Sequence, residues 1–225
     1  MTTSQANSLS SIAYDRRRVL IGAGTVAGVL ATGMVSLKSS PALAAPQAGQ
    51  AAPDFSVVDT RGVTRSLADL RGKVVVMEWT NHDCPFVKKH YGAGNMQALQ
   101  KEATDAGVVW LSVVSSAKGE QGFVSAVEAN KLTESRNASP TGVLLDPDGK
   151  IGRSYGAMTT PHMYVIDKDG VLRYAGGIDS IASTKADDIK KAEPYFREAL
   201  LAVNRGEPVK NATTRPYGCS VKYVG

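Results

Sequence analysis

Cysteine is scarce in this chain: its 225 residues contain two, Cys84 and Cys219. They form no C-x-x-C pair, which excludes a zinc ribbon and a two-cysteine thioredoxin motif. Aromatic residues are also few, with eight Tyr, four Phe and two Trp. No basic stripe interleaves with them, so no nucleic-acid partner is expected. The formal net charge of +5 overstates the basicity. Residues 1–44 hold Arg16, Arg17, Arg18 and Lys38 against Asp15, a net +3, which leaves +2 for the remainder. Hydrophobic content of 43% with 21% charged residues excludes a disordered or fibrous chain and fits one domain with a leader and a tail.

Charge is absent from Val19 to Leu37. A basic D-R-R-R before that run, and Ala42-Leu43-Ala44 after it, compose the n-region, h-region and cleavage site of a secretory signal peptide over 1–44. The paired arginines followed by Val19 and Leu20 resemble the twin-arginine type, with Asp15 in place of the usual Ser or Thr. An uncleaved membrane anchor is the rival reading, weakened by Gly22, Gly24, Gly28 and Gly33. Either way the domain is expected in the periplasm or another extracytoplasmic space, with a membrane as partner only if the leader is uncleaved.

Residues 45–52 read as a linker by composition, 53–204 as the folded domain and 205–225 as a tail carrying Cys219. Within the domain, strands are expected at Phe55–Asp59, Val74–Met77, Val108–Val114 and Val143–Leu145, and a hairpin across Lys168–Gly170. Ser66 with Asp69 is expected to cap a helical turn, and Ser125 with Glu128 to open a short helix. One helix is expected from Pro85 to Ala106, ended by Gly107. A last helix should run from Thr184 to Asn204, with Ile189, Ala192, Phe196, Leu200 and Val203 on one face. Strands alternating with helices define an α/β layered domain.

The chemistry centres on Lys73–Met96. A buried strand passes through a polar turn to Cys84-Pro85, and Pro at the first helical position places Cys84 at the positive end of a helix. An ordinary thiol, of pKa about 8.5, is only slightly ionised at pH 7, and the thiolate is the reactive form. The helix terminus with Lys88 and Lys89 favours the thiolate, while Asp83 opposes it. The bland alternative is an inert buried cysteine.

The pieces A-P-D-F at 52–55, S-L-A-D-L-R-G-K-V-V-V at 66–76, Cys84-Pro85, L-L-D-P-D-G at 144–149 and Y-G-A-M-T-T-P-H-M-Y-V-I-D at 155–167 occur in a characteristic order. From about Ala52 to Asn204 the chain resembles the redoxin branch of the thioredoxin fold, which includes the alkyl hydroperoxide reductase/thiol-specific antioxidant (peroxiredoxin-like) group. The resemblance implies a thioredoxin-like central mixed sheet flanked by helices, with a cis-proline at Pro161 facing Cys84. The chain departs from it at Val87, where a thioredoxin motif has its second cysteine. It departs again at Asn81 and Met77, where the peroxiredoxin signature has Thr or Ser and Pro; Thr80 lies one place away.

Three roles remain open for Cys219: a resolving cysteine, as C-terminal tails supply in many two-cysteine peroxiredoxins, a structural disulfide, or an intersubunit bridge. A structural disulfide would close a loop of more than 100 residues, worth about 5 kcal/mol in the chain-entropy picture. Pro216-Tyr217-Gly218 forms a turn expected to present the thiol. His82 and His162 are read as tuning groups beside the sulfur, as ligands with Cys84 of a copper or zinc site like that of Sco-type carriers, or as ordinary loop histidines. His90 is expected to be exposed, and Trp79 and Tyr164 to be core.

The expectation is therefore an exported thiol oxidoreductase with no cofactor. Cys84 attacks a hydroperoxide or protein disulfide, Cys219 resolves, Pro161 shapes the docking surface, and an external thiol reductant restores the pair. Disulfide exchange without peroxidase activity is the alternative within enzymes. A non-catalytic metal carrier is the alternative outside them.

Overall fold

The computed structural model describes residues 45–225; the leader over 1–44 lies outside the described residues. In chain order come a short hairpin of β1 (Ser56–Val58) and β2 (Thr64–Ser66), then β3 (Val75–Trp79), α1 (Pro85–Gly92), α2 (Asn95–Asp105) and β4 (Val109–Val114). They are followed by α3 (Ala126–Ser135), β5 (Gly142–Leu145), α4 (Lys150–Tyr155), β6 (Thr159–Thr160), β7 (His162–Ile166), β8 (Leu172–Gly176), α5 (Tyr195–Asn204) and β9 (Cys219–Ser220). Five strands form the central sheet in the order β5-β4-β3-β7-β8. β3, β4 and β5 run parallel, and β7 and β8 are antiparallel to their neighbours.

Every residue of β3, β4 and β7 is buried, as expected for strands covered on both faces. On one face Val74, Val76, Trp110, Met163 and Val165 pack beneath α1, α2 and α5 in a cluster that includes Cys84. On the other, Val75, Met77, Trp79, Leu111, Tyr164 and Ile166 pack with Phe55, Leu67 and Tyr155. Trp79 and Tyr164 are thus core, their rings 5.0 Å apart edge to face. A carboxylate interrupts the first face. Glu78 is fully buried and accepts hydrogen bonds from Tyr91 (2.8 Å), Trp110 (2.9 Å), Ser112 (3.0 Å) and Gln100 (3.1 Å). Burial pushes its pKa up against the pull of those four donors, and removing any one would leave a polar atom unsatisfied in the core.

Several expected elements are corrected. The helix from Pro85 to Ala106 is two helices, because Gly94 takes a left-handed conformation (φ 72°) between them. Gly107, also at positive φ, follows the end of α2 as a C′ glycine should. The last helix is ten residues long, since Pro194 cannot continue a helix arriving from Thr184. Upstream of it only a 3-10 turn forms, at Ala186–Asp188. The Ser66 cap is not made; the turn at Ala68–Leu70 has no side-chain cap. The Ser125–Glu128 capping box forms as expected. Residues 49–52, linker by composition, lie along the start of β8: Gly49 donates to Leu172 (2.7 Å), Ala52 to Gly170 (2.9 Å), and Gln50 accepts from Leu172 (2.9 Å).

Residues 205–225 cross the molecule as a strap. Ala212 and Thr214 hydrogen-bond to Ala175, and Thr214 Oγ1 meets the Tyr174 hydroxyl at 2.7 Å. β9 pairs antiparallel with β6, Cys219 opposite Thr160 and Ser220 opposite Thr159. Beyond it Val221 donates to Met158 (3.0 Å) and Lys222 accepts from Ala117 (2.8 Å). Tyr223 lies over Gly149 and Gly152, with room for no Cβ at either, and donates to Ala157 O at 2.7 Å.

Candidate active site

Cys84 is the N-cap of α1, in extended conformation (φ −67°, ψ 124°) with Pro85 as the first helical residue. Its amide is held by Asn81 O (3.1 Å). The turn before it is fixed by Asn81, whose Oδ1 accepts from the Asp83 amide (2.9 Å) and whose Nδ2 donates to Gln121 O (3.2 Å). The sulfur has no exposed surface. The Thr160–Pro161 peptide bond is cis, and Thr160 O lies 3.0 Å from Cys84 Sγ, accepting from the thiol. The strap brings the second cysteine to the same place. The Gly218 Cα approaches Thr160 O so closely that a Cβ there would stand 2.0 Å from it, and Cys219 follows, partly exposed.

Burial by itself would push the Cys84 thiol up. Against it, the neighbouring Cys219 thiol, the Val87 and Cys219 amides and the Thr160 side chain hold the pKa below the ordinary thiol value, although Cys84 makes no side-chain cap bond to α1. The Thr160 carbonyl, accepting from the thiol, favours the protonated form. Cys219 moves the other way. Burial, the hydrogen bond to Cys84 and the negative charge on Cys84 push it up to about 11, with Lys222 opposing. The environment therefore favours the anion at Cys84 and the proton at Cys219.

A polar cluster pins the strap two residues before Cys219. Tyr217 donates to Asp179 Oδ1 at 2.5 Å and accepts from Lys89 Nζ at 3.3 Å. His90 Nε2 lies 3.2 Å from the same hydroxyl, and Asn95 Nδ2 faces Nδ1 at 2.9 Å, so the tautomer protonated on Nε2 completes the network. Lys89 and His90 side chains are fully buried, with Asp179 Oδ2 at 3.8 and 3.7 Å. Burial, then the charge of Lys89, pulls His90 down to about 3. The tyrosine ring packs edge to face on Phe86 (5.7 Å between centroids). His90 is thus buried rather than exposed, because α1 is covered on that face by the strap and by Asp179.

Cys84, Pro161 and Cys219 come together; Thr80, His82 and His162 do not join them. Side chains alternate along β7, so Met163 and Val165 share the Cys84 face while His162 points to the other. There its Nδ1 lies 3.1 Å from the Tyr164 hydroxyl, its ring stacks at 4.4 Å, and burial lowers its pKa to about 3. His82 Nε2 is 3.4 Å from Asp83 Oδ2, on the flank where Phe123, Val124 and Leu132 line a groove. The Thr80 hydroxyl is buried without a hydrogen-bond partner among the described residues and borders a cavity of about 40 Å³. Among the described residues, no group of three or more His, Cys, Asp or Glu could hold a metal ion. The Cys84–His82–His162 site is therefore not assembled: the sheet separates His162 from the sulfur. Thr160 was missed, and Tyr217 and Gly218 were read only as part of a turn, since their contacts depend on where the tail lands.

A five-stranded mixed sheet with a cysteine-capped helix opposite a cis-proline defines a thioredoxin-like thiol oxidoreductase. Residues 48–175 match the model of the AhpC/TSA family, and the chain belongs to it. It is 32% identical over 128 residues to the "Thioredoxin-like protein YneN" of Bacillus subtilis (strain 168), a match spanning 56% of this chain and 69% of that one. Two solved structures share the fold. A hypothetical protein of Sinorhizobium meliloti 1021 superposes with TM-score 0.67 at 20% identity, covering 81% of this chain and 97% of its own. An uncharacterized conserved protein from Geobacillus kaustophilus gives 0.66 at 24%, covering 79% and 92%.

Proposed function

We propose that this is an exported thiol–disulfide oxidoreductase whose working pair is Cys84 and Cys219. The observation that carries the reading is that both cysteines meet Thr160 beside Pro161: Cys84 Sγ lies 3.0 Å from its carbonyl oxygen, and Cys219 stands opposite it in the β6–β9 pair. The Cys84 thiolate attacks one sulfur of a disulfide substrate, forming a mixed disulfide and releasing the other substrate sulfur as a thiolate. Burial raises Cys219 most; that capture removes the added effect of the Cys84 charge, and the Cys219 proton passes to the departing thiolate. Cys219 then attacks the Cys84 sulfur, closing the Cys84–Cys219 disulfide and releasing the second substrate thiol. An external thiol reductant restores the pair. Pro161 supplies the wall against which the substrate sulfur rests. Export rests on the arginine-led, uncharged, A-L-A-terminated pattern of residues 1–44.

A second reading, peroxide reduction, is favoured by the enclosure of Cys84, which a small hydroperoxide enters more readily than a protein does. There the thiolate attacks the distal oxygen, giving a sulfenic acid and an alcohol or water, and Cys219 condenses with it, releasing water. The groups that lower the Cys84 pKa most are hydrogen-bond donors, none an arginine, and Asn81 is occupied in holding the loop. Disulfide exchange is therefore the leading reading. Reduction of insulin or a model disulfide that is lost in Cys84→Ser and stalls after one turnover in Cys219→Ser supports it. Hydroperoxide consumption without disulfide reduction transfers the assignment to the peroxidase. Full activity in Cys84→Ser ends both.

A further inference from the structure

Between α1, α3 and β4 lies a cavity of about 40 Å³ whose wall includes Thr80, Tyr91, Ser112 and Arg136. Two polar groups of that wall are left with little to bind. The Thr80 hydroxyl is buried without a hydrogen-bond partner among the described residues. Arg136, directly after α3, lays its guanidinium 4.8 Å from the centre of the Tyr91 ring. Among the described residues it reaches a single acceptor, His82 O at 3.4 Å, and no carboxylate. A guanidinium carries five donors, so most of its capacity is unused. Glu78 touches Tyr91 and Ser112, but both its oxygens are taken by the four donors described above. Val124 and Leu132 line this cavity and also an outer groove of about 370 Å³, where Phe123 is 37% exposed. Lys131 adds positive charge to that groove, while Glu128 is tied to Ser125 at 2.7 Å.

We propose that this pocket binds a small organic monocarboxylate, its head on Arg136 and Thr80 and its hydrocarbon tail along Phe123, Val124 and Leu132. A water molecule satisfies the hydroxyl but leaves the guanidinium charge uncompensated. A carboxylate answers both, because its oxygens accept from the guanidinium fork and from the hydroxyl together. With one face of the guanidinium on Tyr91, the donors lie in the plane at its rim, which a flat carboxylate matches. The inner volume suits that head better than a bulkier phosphate. The apolar outer groove then favours an acid with a short tail over a bare anion. The site uses neither cysteine, so it stands whether or not Cys84 and Cys219 pair. Through the contact of Arg136 with His82 O it adjoins the turn that leads to Cys84.

The test is a calorimetric titration of the whole chain with hexanoate, with n-hexanol as a neutral probe of the same tail and acetate as the head without it. Hexanoate should saturate a single site and bind at least about tenfold more tightly than either control. Arg136→Gln should weaken hexanoate by about tenfold or more and leave n-hexanol unchanged. Thr80→Val keeps the side-chain shape and removes the unpartnered hydroxyl. It should weaken hexanoate by about threefold while the melting temperature holds or rises, an outcome that a purely structural Thr80 would not give. If Arg136→Gln does not fold, Thr80→Val decides alone. Equal affinity for n-hexanol and hexanoate, hexanoate affinity unchanged in either variant, or no saturation in the millimolar range overturns the proposal.

Discussion

Residues 53–204 bury their apolar side chains in two layers, whereas no residue from 205 to 225 is fully buried. The strap contributes to those layers only through partly covered side chains, Val209, Tyr217, Cys219 and Val221. Its attachment is instead a series of directed polar contacts: Thr214 to Tyr174, Tyr217 to Asp179, the β6–β9 ladder, and Tyr223 to Ala157. Burial is collective and insensitive to the fate of one bond, while polar contacts of about 1 kcal/mol each can be released in sequence. The body is accordingly the stable unit, and the strap is the part that opens below the cost of global unfolding.

Four changes sharpen or break that contrast, from the largest effect downward. Cys84→Ser removes turnover altogether, a loss of about a thousandfold or more in steady-state rate, while the melting temperature stays near wild type. Gly218→Val places a Cβ against Thr160 O at a backbone angle (φ 143°) that side chains avoid. It should lift β9 from β6, exposing Cys84 to a bulky maleimide that the parent excludes; unchanged labelling would show that the strap does not guard the sulfur. Tyr217→Phe keeps the ring on Phe86 but leaves Lys89, His90 and Asp179 without their shared partner, about 1–3 kcal/mol locally. Amide exchange should quicken over residues 218–223 and hardly change in β3 or β4. If the whole sheet exchanges faster, strap and body are one cooperative unit. Smallest of all, His162→Asn should leave the Cys84 thiolate titration where it is, because the sheet stands between them.

The same geometry sets a pH dependence. Followed by thiolate absorbance, the reduced protein should ionise once below the ordinary cysteine range and again near pH 11. The sign is that of donors stabilising an anion. The folded Cys84 pKa is depressed, so this contribution to stability is present above the unfolded thiol value and is lost as pH falls through the folded one. Cys219 is the reverse. It is raised, so the folded state binds its proton more tightly, and that contribution fades as pH climbs towards about 11. In Cys84→Ser the upper step should move down only part of the way, since the neighbouring charge is gone but the burial that raises it most remains.

What was legible in the sequence follows the range of the interactions. Apolar β-branched runs announced β3, β4 and β7, and Pro85 after Cys84 announced the helix start, because those signals lie within a few residues of their effect. Gly94 and Pro194 were visible as breakers, yet the periodic pattern on either side of each was read as continuous. Glu78 in a Val-Val-Val-Met-Glu-Trp strand was a visible anomaly whose four donors come from three other elements. His162 was misjudged by proximity in sequence: it adjoins Pro161, but one step along a strand changes the face. The Thr160 carbonyl and the Tyr217 hydroxyl were illegible, although Tyr217 itself was placed in the turn before Cys219, because such atoms matter only through long-range placement.

Cys84 and Cys219 are 135 positions apart (219 minus 84), and that separation imposes an order of assembly. The helix start and the Pro161 loop can meet as soon as β7 has formed, whereas the ladder that covers them waits for residues 218–220. A nascent chain therefore passes through a stage in which its most acidic thiol stands naked. Whatever small disulfide is present then can cap it by exchange, releasing one of its halves as a thiol, before its intended neighbour arrives, so the oxidation state of the surroundings during synthesis decides whether the finished molecule starts life armed or blocked.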